Sequence, residues 1–200
     1  RGWKEKGLQL DGNDDGIYLG NKIKDLFKTS NTIEFCLMFN ESNSRDILMG
    51  NYTNTYDINY EKYMNNRSRI YFNHFELDTA GKNDAFPVGS VITITYVFRK
   101  EKSVIDLYVN GNFFETCTSN LFKDFSYDFL DVWLGRDFRT GSTVTKGTIY
   151  SVRMYSDELT NSEIQTNYYT DQERFYEADS DTNFSYIKEN LKLYYDGINN

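Results

Sequence analysis

Glu76 and Asp78, in the run FELDTAG, stand two residues apart in a stretch rich in strand formers. On a strand that spacing projects both side chains from one face. A pair of carboxylates on one face is the arrangement that acid-assisted cleavage of a glycosidic bond uses. The alternative reading is a solvated strand end. The single histidine, His74, lies just upstream. It has no nucleophile beside it in a recognisable motif, and nothing in the sequence pairs it with Cys36 or Cys117, so it reads as a partly exposed strand residue.

A second group is the turn DGNDDG at residues 11–16. Asp11, Asn13, Asp14 and Asp15 offer the hard oxygen ligands that calcium prefers. The spacing and the terminal bidentate glutamate of a helix-loop-helix calcium site are missing. The competing reading is a plain turn, since Asp and Asn tolerate left-handed backbone and cap their own amides.

A third group is aromatic. In DFLDVWLG, residues 128–135, Leu130, Val132 and Leu134 alternate with Phe129, Asp131 and Trp133. The second set faces away from the core. Tyr108 and Asp106 take the same outward position in VIDLYV, and Arg136, Asp137 and Arg139 follow in the next loop. Aromatic rings beside carboxylates and arginine donors suit stacking against a sugar ring with hydrogen bonds to its hydroxyls. Tyr52, Tyr56 and Tyr71 are further candidates. Against this stands a structural reading, in which loops and a helix cover the outer faces and bury these rings.

The elements that must position these groups are strands. GLQL (residues 7–10) and Ile17–Leu19 flank the acidic turn. TIEFCLMFN (32–40) is apolar almost throughout, as a strand covered on both faces is. DILMGNY (46–52), a weakly patterned strand within 53–66, and RIYFNHFEL (69–77) follow. In VITITYVF (91–98), Ile92, Ile94, Tyr96 and Phe98 share one face. In VIDLYV (104–109), Ile105, Leu107 and Val109 do. Asn110-Gly111 predicts a type I′ hairpin into Phe113–Cys117. Gly147–Tyr155 is the last long strand, and Thr160 with Glu163 forms a capping box for one short helix, stapled by Leu159 and anchored by Ile164. Short strands with Gly/Asn turns and one late helix predict an all-β antiparallel sandwich.

The chain has 200 residues, enough for one well-buried domain, and carries 17 Tyr and 15 Phe. Its net charge of −8 argues against nucleic acid and against anionic membranes. No apolar run reaches membrane-spanning length. Cys36 and Cys117 form no metal pattern and are read as two separate thiols packed as small hydrophobes. Arg1 is not a natural start, so the chain is expected to be a fragment. Residues 177–190 turn polar, and LKLYYDGINN then opens like a new strand. The expected organisation is a domain over 1–178, a linker over 179–190, and the start of a following module over 191–200.

Three segments in this order resemble concanavalin A-like lectin/glucanase domains of the laminin-G type. They are GLQLDGNDDGIYLG, VITITYVFRKEKSVIDLYVNGN and LGRDFRTGSTVTKGTIYSVRMYSDELTNSEIQTNYYTDQERF, together spanning residues 7–175. The resemblance implies a jelly-roll β-sandwich, closed by the strand and helix at 144–176. It implies a structural or ligand-bridging calcium ion at Asp11, Asp14 and Asp15, completed by Asp157 or a backbone carbonyl. Glucanases of this family follow the paired acids with a third, whereas Thr79, Ala80 and Gly81 stand here, so a catalytic set is incomplete. The fold hosts enzymes, lectins and adhesion modules alike. The expected function is non-catalytic binding of glycan or a host cell envelope, extracellular, on a cell surface or virion such as a phage tail, with tandem modules or homo-oligomers supplying avidity. The alternatives are a glycoside hydrolase or its accessory domain, and a spacer without a ligand.

Overall fold

The computed structural model describes residues 7–41, 45–51, 58–63, 67–72, 75–78, 86–124, 132–136, 144–176 and 186–196. Their strands form two antiparallel sheets packed face to face. In chain order the strands are β1 (Leu8–Asp11), β2 (Ile17–Gly20), β3 (Asn31–Phe39), β4 (Arg45–Gly50), β5 (Ile58–Tyr63), β6 (Arg67–Phe72), β7 (Phe75–Asp78), β8 (Val91–Arg99), β9 (Val104–Val109), β10 (Asn112–Thr118), β11 (Val132–Leu134), β12 (Lys146–Tyr155) and β13 (Leu191–Asp196). The first sheet has the order β1-β12-β3-β8-β9-β10, with β13 also on β12, and the second has β2-β11-β4-β5-β6-β7.

The alternation read from the sequence sets the interior. Ile33, Phe35, Leu37 and Phe39 of β3 meet Ile92, Ile94, Tyr96 and Phe98 of β8 and Ile105 and Leu107 of β9 in one buried cluster. Leu19, Val132, Leu134, Met49, Tyr60 and Ile70 supply the second sheet's half. Asn110 and Gly111 both have positive φ, 51° and 74°, as a type I′ turn demands. Gly111 is needed twice over, because a Cβ there would stand 3.1 Å from the Tyr168 ring.

The helix is longer than expected: α2 runs Asn161–Tyr176, sixteen residues, after a single-turn α1 at Leu121–Asp124. Its capping box forms, with Thr160 N–H donating to Glu163 Oε2 at 2.7 Å and Glu163 N–H to Thr160 Oγ1 at 3.3 Å. Leu159 and Ile164 are buried with Val97, Tyr108 and Tyr155, so the helix covers the outer face of the first sheet. Cys36 and Cys117 are buried, separate free thiols. Cys36 packs with Tyr150 and Phe175 under the same helix.

Two segments differ from the sequence reading. RIYFNHFEL is not one strand: Phe72 pairs with Phe75, so β6 and β7 are a hairpin. Leu191–Asp196, expected to open a following module, pairs antiparallel with Ser151–Tyr155 of β12. The physical reason is a vacant edge. β1 covers β12 only from Lys146 to Ile149 and leaves the rest of that edge for β13.

Candidate functional site

The candidate site lies on the outer face of the second sheet. β2 and β11 lie at one edge of it. Leu19, Val132 and Leu134 point inward, so period-two alternation sends Tyr18 and Trp133 outward. The two residues are register partners, and their ring centroids lie 4.8 Å apart at 48°. Tyr18 is 53% exposed, whereas Trp133 is half-buried. Arg136, just beyond β11, holds its guanidinium 5.1 Å from the Trp133 ring. Its Nη1 donates to the backbone carbonyl of Asp14. One small area thus joins an open ring, a second ring as its wall, and a cation.

The acidic turn adjoins this area. Asp11, Asp14 and Asp15 bring carboxylate oxygens within 4.8 Å of one another. Asp11 also makes the self-capping turn read as the alternative: Asn13 N–H donates to its Oδ1 at 2.8 Å and Asn13 Nδ2 to its Oδ2 at 3.0 Å. Those bonds hold the Asp11 carboxyl below the usual carboxylate range. Asp15 Oδ2 accepts from Asp11 N–H at 2.9 Å.

Across the sheet from Trp133 the register runs to Gly50, Asn59, Tyr71 and Glu76. Gly50 puts no side chain beside the indole. Further along, Glu61 accepts from Arg45 Nε on one oxygen and from Arg69 Nε on the other. Asn59 Nδ2 adds a bond to Glu61 at 3.2 Å. Arg69 lies over the Tyr63 ring, 3.3 Å from its centroid. Glu61, Asn59 and Arg69 are buried. Burial raises the Glu61 pKa, against the pull of both arginines. This part of the face is a packed polar cluster, and among the described residues the exposed ring on this sheet is Tyr18.

Of the binding residues read from the sequence, Trp133 and Arg136 lie together. Tyr108 does not join them. It faces away from the core, but α2 covers it: it is 3% exposed, and its hydroxyl donates to Asn161 Oδ1 at 2.6 Å. Outward alternation gave its direction correctly and could not show what lies above it. Asp157 does not reach the acidic turn either. Asp11 pairs with Lys146 at one end of β12, while Asp157 follows Tyr155 at the other, ~30 Å along the strand. There Asp157 Oδ1 accepts from Glu158 N–H at 2.8 Å and Oδ2 from Asn190 Nδ2 at 3.2 Å. Tyr71 is placed by its backbone register alone, opposite Asn59 and Glu76. Phe129, Asp131, Asp137, Arg139, Tyr52, Tyr56 and His74 lie outside the described residues. Glu76 and Asp78 share β7, an edge strand, opposite Tyr71 and Arg69. Tyr18 was not singled out from the sequence. Its signal was present in the alternation of IYL around a buried Leu19.

Two antiparallel sheets, one outer face capped by a helix and the other presenting rings, make a concanavalin A-like jelly roll. The laminin-G-type family model of the concanavalin A-like lectin/glucanases superfamily matches residues 11–165, and the chain belongs to that family. Among solved structures it is similar to the CBM40 of the Ruminococcus gnavus IT-sialidase, with a TM-score of 0.64 and 19% identity over 80% of this chain and 95% of that one. The same CBM40 bound to α2,3-sialyllactose matches with a TM-score of 0.61 and 18% identity, covering 80% and 95%. The NanB sialidase of Streptococcus pneumoniae matches with a TM-score of 0.59 and 15% identity over 79% of this chain and 26% of that one. The chain therefore spans about a quarter of that sialidase. No curated protein sequence matches it.

Proposed function

We propose that this domain is a non-catalytic carbohydrate-binding module of a larger protein that works outside the cell, on a cell surface or virion. The observation that carries the reading is the exposed Tyr18 ring set against Trp133, with the Arg136 guanidinium beside them. The apolar face of a sugar stacks on Tyr18, Trp133 forms the side wall, and polar groups at the edge take the hydroxyls. The site is shallow, so each contact is weak and repeated copies supply avidity. The likeness to the CBM40 of one sialidase, solved both free and bound to α2,3-sialyllactose, supports a glycan ligand.

The paired acids Glu76 and Asp78 do not change this reading. They lie on the edge strand farthest in the sheet order from Tyr18. In sequence they lack the third acid that glucanases of the family carry.

The turn residues fit a hard cation, since Asp11, Asp14 and Asp15 converge and every donor is oxygen. In this proposal they would hold calcium, which when bound would brace the turn that Arg136 grips.

The test is a glycan array that includes α2,3-sialyllactose, run with and without chelator, on the wild type and on Tyr18→Ala and Trp133→Ala. The reading expects signals that both variants lose while their thermal melts stay cooperative. A blank array for the wild type sinks it and leaves the spacer reading. Signals that survive Tyr18→Ala move the site elsewhere.

A further inference from the structure

Arg136 ties the Tyr18–Trp133 edge to the acidic turn. Arg136 donates from Nη1 to the Asp14 carbonyl and places its guanidinium 5.1 Å from the indole. Its stem lies across Gly16: a Cβ built there would stand 2.6 Å from Arg136 Cδ, 2.7 Å from Cγ and 3.0 Å from the Leu134 carbonyl. The space for this arginine exists because residue 16 has no side chain. Gly50, the neighbour of Trp133 on the β4 side, puts no side chain against the indole. An outward indole open on that side gains from a support, and a guanidinium over tryptophan is the most favourable cation–aromatic pairing.

We propose that Arg136 is a positioning residue for the aromatic platform. Anchored on the Asp14 carbonyl and seated in the gap at Gly16, it fixes the angle of the Trp133 indole against Tyr18, so the rings are already arranged when a sugar arrives. A platform ordered in advance loses less conformational freedom on binding. The role in affinity rests on the glycan-binding reading of this face, and the role in holding Trp133 does not.

The experiment uses a Trp3→Phe background, which leaves Trp133 as the reporter because the chain has two tryptophans. Arg136→Met keeps the stem but removes donor and charge. Arg136→Lys restores both. Gly16→Ala displaces the arginine without deleting it. Acrylamide quenching of Trp133 and the Kd for the strongest array glycan are measured on each. Arg136→Met and Gly16→Ala are expected to weaken binding roughly three- to tenfold and to increase quenching, with Arg136→Lys recovering most of both. The double variant should be no weaker than either single one, since both act through one contact. Unchanged quenching in Arg136→Met overturns the proposal, even if affinity falls, because the arginine would then be acting directly on the sugar. Fully additive losses also overturn it. A wild type that binds no glycan defeats the proposed function, and the quenching series still decides whether Arg136 holds the indole.

Discussion

Arg153 of β12 and Asp171 of α2 face each other through two parallel hydrogen bonds, Nη1 to Oδ1 at 2.8 Å and Nη2 to Oδ2 at 2.7 Å. Both are fully buried. Arg153 Nε also donates to Glu34 at 2.9 Å, and Asn167 donates to the same Glu34 oxygen at 2.6 Å. The helix is therefore fixed to the sheet by charge as well as by Leu159 and Ile164. Breaking one side of a buried pair leaves a charge without compensation. Asp171→Asn should cost ~3–5 kcal/mol, read from the urea midpoint. Replacing Glu34, Arg153 and Asp171 together by apolar residues of similar volume should recover much of that loss. An unchanged midpoint in Asp171→Asn would show that the pair does not secure the helix.

Two buried glutamates give stability a defined dependence on pH. Burial raises the pKa of Glu34, opposed by Arg153, and raises that of Glu61, opposed by Arg45 and Arg69. A raised carboxylate binds its proton more tightly in the folded chain than in the unfolded one. Its contribution is full below the ordinary carboxylate range and is lost as pH climbs through the folded pKa. Asp11 runs the other way: its lowered pKa gives a contribution lost as pH falls. The free energy of unfolding should therefore decline from mild acid toward neutrality, and Glu34→Gln should flatten that slope whatever it does to the absolute level. A profile that rises through this window in the wild type would contradict the assignment.

How much of this was legible in the sequence differs from residue to residue. Ile92, Ile94, Tyr96 and Phe98 announced their shared face, because alternation is local and the interior obeys it. The apolar run through Glu34 correctly signalled a strand covered on both faces. It could not name the partner, since Arg153 lies 119 residues away. The same holds for Asp46 and Lys62, a buried ion pair at 2.6 Å between strands whose pairing no local pattern encodes. Tyr108 and Tyr18 show the limit at the candidate site. Both alternate outward, yet one is sealed under α2 and the other is open. What decides between them is the path of a distant segment, which period-two patterning does not carry.

The acidic turn makes a prediction about calcium. An ion that binds the folded chain alone stabilises it by RT ln(1 + [L]/Kd), about 2.7 kcal/mol at a hundredfold excess over Kd. Millimolar calcium should raise the melting temperature, chelator should reverse the rise, and Asp14→Asn with Asp15→Asn should abolish it. Magnesium should do less, because it demands tighter octahedral geometry. A melting temperature indifferent to calcium would return Asp11, Asp14 and Asp15 to the role of a self-capped turn.

The segment 186–196 makes the last prediction, because the sequence placed a boundary at 178 and the fold does not. Tyr186 donates to Asp171 at 3.2 Å and lays its ring 4.5 Å from the Arg153 guanidinium. Ile187 N–H donates to Asn167 Oδ1 at 3.0 Å, and Ile187 accepts from Tyr155 at 3.1 Å. Arg174 reaches forward to Tyr194 and Asp196 of β13. Ending the chain at 178 would strip these partners from the buried charges beneath α2 and leave Ser151–Tyr155 of β12 as a bare strand edge. Unpaired edges recruit other chains. The shortened chain should melt lower, at ~2–4 °C for each kcal/mol lost, and should self-associate on size-exclusion chromatography. A chain ending at 196 should do neither. Equal melting temperatures and equal elution for the two would show that β13 is dispensable to the domain.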